Sequence, residues 1–180
     1  MLHKWMPMFL LLAIAIAIGI GGCVNKVNNT NHLNEMVKKL GHRNWIVVAD
    51  SAYPWQNANG IKTIVLNCNQ EKGVQDVLAI LKKAGHVRPT VYLDKELEYV
   101  SEENAPGIDA YRSKLSELLK DHNVVRIKHE ELIAKLDESS KMFEIVIIKT
   151  NMKLPYTSVF MELRCGYWND EAEKKLRERF

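Results

Sequence analysis

The chain has 180 residues, 47% of them hydrophobic, and a formal net charge of +3. Length and composition fit one globular domain once a targeting segment is set aside. No basic block or aromatic-basic interleaving marks a nucleic-acid surface, and no CxxC or Cys/His spacing marks a metal site, so both classes are set aside.

Lys4 is the only charge before an uncharged run over 5–22, whose centre is solidly apolar. That run is short for a spanning helix of about 20 residues with flanking anchors, and it ends in small residues, as a secretory signal peptide does. Ile20-Gly21-Gly22-Cys23 resembles the lipobox of bacterial lipoproteins, which implies cleavage before Cys23 and lipidation of that residue. The alternative is an uncleaved signal anchor. Residues 1–22 are thus expected to be a signal peptide and 23–30 a polar, Asn-rich tether. Lipid at Cys23 would hold the protein to a membrane of the cell envelope, since each buried CH₂ contributes about 0.8 kcal/mol. Cys68 and Cys165 remain, and a disulfide between them is left open.

Leu33, Met36, Val37 and Leu40 share one helical stripe, and Gly41 stands where a left-handed cap would end it. Trp45 to Ala49 is a continuous apolar run, expected as a strand covered on both faces. Asp50 closes it, followed by Ser51, Ala52 and Pro54. An Asp there reads either as a ligand group beyond the carboxyl end of a strand or as a loop-initiating turn residue. A turn-rich loop through Trp55 leads to a strand over 61–66. A helical stripe then starts at Gly73, with Val74, Val77, Leu78, Leu81 and Ala84, and Gly85 ends it.

Past Pro89 a short strand is expected over 90–93, and the acidic span 94–107 gives no clear pattern. Ile108, Tyr111, Leu115, Leu118 and Leu119 repeat at helical spacing. Residues 124–127 read as a strand, His129 opens a helix, 143–148 and 158–163 read as strands, and Asn169 caps a charged final helix over 170–179. The fold class expected is α/β: a single Rossmann-like domain with a mainly parallel sheet and helices on both faces.

Taken together, Leu40-Gly41-His42, Asp50 with Pro54, His129-Glu130 and Pro155-Tyr156-Thr157-Ser158 stand in the order found in the ribose pyranase and fucose mutarotase family, the RbsD/FucU proteins. The resemblance covers about 31–168 and leaves the leader and the 169–180 helix outside. It implies a cofactor-independent isomerase that interconverts cyclic forms of a monosaccharide, ribose- or fucose-like, and that assembles as a homo-oligomer, often a decameric ring. It also implies His42 as the proton donor, with Asp50, His129, Tyr156 and Ser158 binding the sugar. Opening a hemiacetal needs a base at the anomeric hydroxyl and an acid at the ring oxygen, and an imidazole serves either near neutrality.

Each residue also has a plainer reading. His42 follows a helix C-terminus and would suit its dipole, His129 would be an exposed residue at a helix start, and Tyr156 a core aromatic. His32, His86 and His122 match nothing in the family and are expected at the surface. Trp45, Trp55 and Trp168 are expected in the core, with Trp55 also a candidate stacking face. Two departures stand out: Thr157-Ser158 replaces the family's Ala-Asn, and Lys149-Thr150-Asn151 lacks its Thr/Ser-Gly-Glu. His42 and Asp50 flank a strand of about five residues at ~3.3 Å each, too far apart for one sugar in one chain. Either the chain bends sharply or the site is composite, shared between subunits, as the ring assemblies implied by the resemblance would allow. The competing reading is a non-catalytic envelope lipoprotein that binds a monosaccharide or a protein partner on the same fold.

Overall fold

The computed structural model describes residues 31–180. The expected signal peptide, tether and lipidation residue Cys23 lie outside the described residues. Among the described residues no helix is long and apolar enough to cross a membrane.

Six strands form one sheet: β1 (Trp45–Ala49), β2 (Ile61–Val65), β3 (Val87–Asp94), β4 (Val124–Ile127), β5 (Ile145–Lys149) and β6 (Val159–Cys165), in the order β2-β5-β1-β6-β3-β4. The pairs β1/β5, β2/β5 and β3/β4 are parallel. Strand β6 runs antiparallel between β1 and β3. The sheet is therefore mainly parallel with one reversed central strand. The physical reason is the connection: a parallel return needs a crossover of about a dozen residues or more, usually a helix, and only the short segment 150–158 joins β5 to β6.

Helices cover both faces. On one, α1 (residues 31–37), α2 (Gln70–Ala84) and α3 (Ile108–Leu119) bury Leu33, Val37, Val74, Val77, Ile108 and Leu115 against Ile46, Val48, Val146 and Met161. On the other, α4 (His129–Ser140) packs Leu132 and Leu136 on Trp45, Val47, Ile147 and Phe160. Alternate β1 side chains enter opposite layers, and all five residues are buried. That is why β1 reads as an unbroken apolar run. A final helix, α5 (Asp170–Arg177), buries none of its residues.

Several local expectations are corrected. Gly41 is not a left-handed cap; its N–H donates to Asn44 Oδ1 at 2.7 Å, and the residue with positive φ is Arg43, at 73°. Gly85 does cap α2 in the left-handed region, donating to the Leu81 carbonyl. Helix α2 begins at Gln70 rather than at Gly73, because the Asn69 side chain accepts the Lys72 N–H at 2.9 Å. Gly73 lies inside the helix where a Cβ would come 3.1 Å from Val48 and 3.2 Å from Thr150, so its smallness lets α2 approach the sheet. Strand β3 starts at Val87 and carries Pro89 within it. Pro89 faces Leu163 of β6, and β4 joins only from Val91, so the missing N–H interrupts no ladder on that side.

Trp45 is core, whereas Trp55 and Trp168 are exposed, in a loop and beyond the sheet. His86 is half-buried rather than a surface residue: its ring lies 2.9 Å from the Leu40 carbonyl and 3.3 Å from that of Ala84, tying the segment after α1 to the end of α2. No disulfide joins Cys68 to Cys165. They lie at opposite ends of the sheet, Cys68 past the end of β2 and Cys165 at the end of the reversed β6.

Candidate active site

The reversal of β6 creates the site. Its first residues emerge where the parallel strands finish, with Val159 opposite Val48 of β1 on one side and Leu93 of β3 on the other. Asp50 and Asp94 therefore flank the segment that carries Tyr156, Thr157 and Ser158. Strand β4 ends beside Asp94, with Ile127 paired to it, and this brings His129 to the same rim.

Asp50 is held from two directions. Its Oδ2 accepts the Ser158 hydroxyl at 3.0 Å and its Oδ1 accepts the Ala52 N–H at 2.8 Å, while its own N–H donates to Ser158 Oγ at 3.3 Å. The turn chemistry and the rim position coexist in one residue. Ser158 is buried and its hydroxyl is engaged with Asp50, so it fixes that carboxylate from beneath.

His129 is fixed more tightly. Its Nδ1 lies 3.1 Å from Asp94 Oδ1, its backbone N–H donates to both Glu96 oxygens at 3.0 and 3.1 Å, and its ring meets Tyr156 edge-on at 5.6 Å between centroids. Asp94 is 1% exposed. Burial pushes its carboxyl up from 3.8 to about 6, against the lowering effect of His129, with Glu96 and Asp50 adding repulsion. Burial also raises the Tyr53 hydroxyl, with Asp137, Asp94 and Asp50 adding to it. That hydroxyl has no hydrogen-bond partner among the described residues.

Tyr156 adopts φ 57°, a conformation that L side chains seldom take, and is 40% exposed. What holds it there is a buried network under the next residue. The Thr157 carbonyl accepts the Tyr111 hydroxyl at 2.6 Å and Gln70 Nε2 at 2.9 Å, and Gln70 also donates to the Val48 carbonyl and accepts from Thr150. Lys149 Nζ donates to the Tyr53 carbonyl at 2.6 Å, pinning the loop after Asp50.

Asp50, His129, Tyr156 and Ser158 thus share one rim. His42 does not. It is exposed before β1, at the other end of that strand, in a cleft with Arg88, Arg164, Tyr167 and Trp168. At ~3.3 Å per residue, β1 keeps it roughly 17 Å from Asp50. Sequence reasoning passed over Asp94, Glu96, Gln70 and Tyr111. A signal for Asp94 was present, because the Val-Tyr-Leu-Asp of β3 repeats the apolar-run-then-Asp pattern of β1. Among the described residues no group of three or more His, Cys, Asp or Glu side chains is placed to hold a metal ion.

Fold and rim define a class, a Rossmann-like α/β domain whose acid-base groups gather where the strands end. The RbsD / FucU transport protein family model matches residues 28–166, and the chain belongs to that family. No curated protein sequence matches it. The chain is similar to Bacillus subtilis RbsD complexed with D-ribose, at 23% identity and a TM-score of 0.51, over 77% of this chain and 93% of that one. It is similar also to FucU from Bifidobacterium longum, at 12% identity and a TM-score of 0.51, over 77% of this chain and 96% of that one. At these identities the likeness is one of fold.

Proposed function

We propose that this protein is a cofactor-independent sugar mutarotase or pyranase, which opens and recloses a ribose- or fucose-like ring by general acid-base chemistry. The observation that carries the reading is the gathering of Asp50, His129 and Tyr156 on one rim of an RbsD/FucU domain. A carboxylate, an imidazole and a phenol there offer the donors and acceptors that sugar hydroxyls need. The D-ribose held by Bacillus subtilis RbsD, a protein of the same fold, supports a monosaccharide as ligand.

His42 completes the site from a neighbouring copy, as the proton donor to the ring oxygen. Its separation from Asp50 along β1 favours a homo-oligomer, with a decameric ring as the assembly the family implies. Lipidation at Cys23 would place that assembly in the cell envelope, where it meets sugars before uptake. Each subunit interface then holds one composite site.

The Ser158 hydroxyl favours a second reading. It is engaged with Asp50, and it stands where the family carries an Asn amide, so a domain that binds a sugar without turning it over is the alternative. Saturation-transfer NMR on ribose, fucose and galactose separates the two. The proposed enzyme accelerates exchange between ring forms for at least one sugar, and His42→Ala loses that acceleration. Sugar binding without acceleration by the wild type selects the alternative.

A further inference from the structure

We infer that Asp94 and His129 form a proton-transfer dyad, with His129 as the catalytic base at the anomeric hydroxyl and Asp94 as the positioning residue that fixes its ring. This rests on the proposed ring-opening function and adds to it the group that takes the first proton.

The geometry carries it. Asp94 follows the last apolar residue of β3 and is buried under the His129 ring, at 3.1 Å from Nδ1. The other ring nitrogen, Nε2, has no protein partner among the described residues. Two residues on, Glu96 takes the His129 backbone N–H with both carboxylate oxygens. Helix α4 has no side-chain cap of its own at Lys128, so Glu96 supplies the acceptor its first turn lacks. The ring and the backbone of His129 are therefore held from one short segment, and Tyr156 limits ring rotation from the side. Such two-point fixing, with a carboxylate behind one nitrogen, selects the tautomer with the proton on Nδ1 and leaves Nε2 as an acceptor. A sugar contact alone would not need it.

The step balances without a co-reactant. His129 Nε2 takes the proton of the anomeric hydroxyl, the C1–ring-oxygen bond breaks, and its electron pair goes to the ring oxygen. The ring oxygen takes a proton from His42 of the neighbouring copy as the carbonyl forms at C1. Reclosure on the other face of the carbonyl returns each proton to its donor. Asp94 stabilises the imidazolium in between. Burial already holds the Asp94 carboxyl in a range where the charge of a nearby imidazole matters. The groups that face the pair are Glu96, Asp50 and Tyr53.

The test compares wild type, Asp94→Asn and His129→Gln by exchange NMR across sugar concentration, with ¹⁵N spectra of the histidine rings. The wild type should show His129 protonated on Nδ1. Asp94→Asn should disturb that tautomer and lower kcat on the order of 10²-fold, with KM little changed. His129→Gln should lose at least as much. Sugar exchange in the wild type together with an Asp94→Asn variant of equal kcat overturns the dyad and leaves the proposed function standing. An Nε2-protonated His129 in the wild-type spectrum overturns the dyad whether or not the variants fold. A wild type that accelerates no sugar overturns both.

Discussion

The two ends of strand β1 are built on opposite principles. At its carboxyl end Asp50 is bonded to Ser158 and Asp94 to His129, with Ser158 and Asp94 buried and the Gln70–Tyr111 network packed beneath the loop. At its amino end His42 stands exposed, and Arg43, beside it, is in the left-handed region. A prearranged rim keeps its geometry without a ligand, which is what orientation-dependent catalysis requires. An exposed imidazole on an open cleft becomes precise only when something closes over it. Under the proposed function, one end is a prearranged half-site and the other a group that a neighbouring copy delivers.

Placing the two groups on different copies gives the largest expected effect. His42→Ala and Asp50→Ala should each lower sugar exchange on the order of 10²- to 10⁴-fold, with His42→Ala changing stability by less than about 0.5 kcal/mol because its side chain is exposed. Mixed after unfolding and refolding, the two inactive variants should regain activity, since about one interface in four then joins two intact halves. No recovery on mixing would place both groups in a single subunit's site, or one of them outside the site. Sedimentation equilibrium on the same samples checks that the variants still assemble.

The next effect is thermodynamic and concerns the finished half alone. Asp94 is raised from 3.8 to about 6, so between those values the folded protein keeps a proton that the unfolded chain has lost. Stability must therefore fall as pH rises through that window, and below it the penalty vanishes. A shift of about two units corresponds to about 3 kcal/mol. Asp94→Asn has nothing to ionise there, so its unfolding free energy should gain about 2 kcal/mol on the wild type between pH 4 and 7, the rest of the shift lying below pH 4. Urea unfolding at the two pH values measures it. A difference independent of pH would show that Asp94 ionises normally.

How much of this was open to sequence reading depends on how local the cause was. Strand β1 was legible to the residue because burial on both faces leaves one signature, an uninterrupted apolar run. Helix α2 was placed but started late, because the Asn69 cap is one hydrogen bond while Gly73 looks like punctuation; Gly73 is there for close approach to Val48. The reversal of β6 was overlooked rather than hidden: the segment between the two expected strands is too short for a helical crossover, and only the place of β6 between β1 and β3 needed the structure. Of the site, Asp50, His129, Tyr156 and Ser158 were singled out by motif, and their meeting was expected only from the family resemblance, because β6 brings them together across long separations in the chain. Asp94 escaped notice because Pro89 shortened the strand expected before it and an acidic span followed. Trp55 and Trp168 were assigned to the core by residue type, although a long loop and a terminal extension offer no core to enter.

A smaller effect tests what holds the rim in shape. Gln70→Ala removes two donors from main-chain carbonyls and the acceptor for Thr150. The Thr157 carbonyl keeps the Tyr111 hydroxyl and Thr150 keeps the Ala49 carbonyl, so the cost should be about 2 kcal/mol rather than the sum of three bonds. Because Tyr156 holds a positive φ against its own preference, the same variant should also loosen that loop. Hydrogen exchange of the 156–158 amides should rise by more than the global loss of stability predicts.

The smallest effect belongs to the amino end. Helix α5 buries no residue, and the side-chain ion pair from it to the sheet joins Asp170, fully exposed, to Arg88 at 3.5 Å. Exposed pairs of this kind contribute about 0–1 kcal/mol. The family match ends at residue 166, before the helix begins. Truncation after Asn169 should therefore change the unfolding free energy by less than about 0.5 kcal/mol. The helix does flank the cleft that holds His42, through Asp170 and Glu173. If that cleft is where a neighbour's rim closes, truncation should alter the assembly equilibrium or the exchange rate while leaving subunit stability where it was. A large loss of subunit stability would instead make α5 part of the domain, and the amino end of β1 would then be a packed surface and not an open half-site.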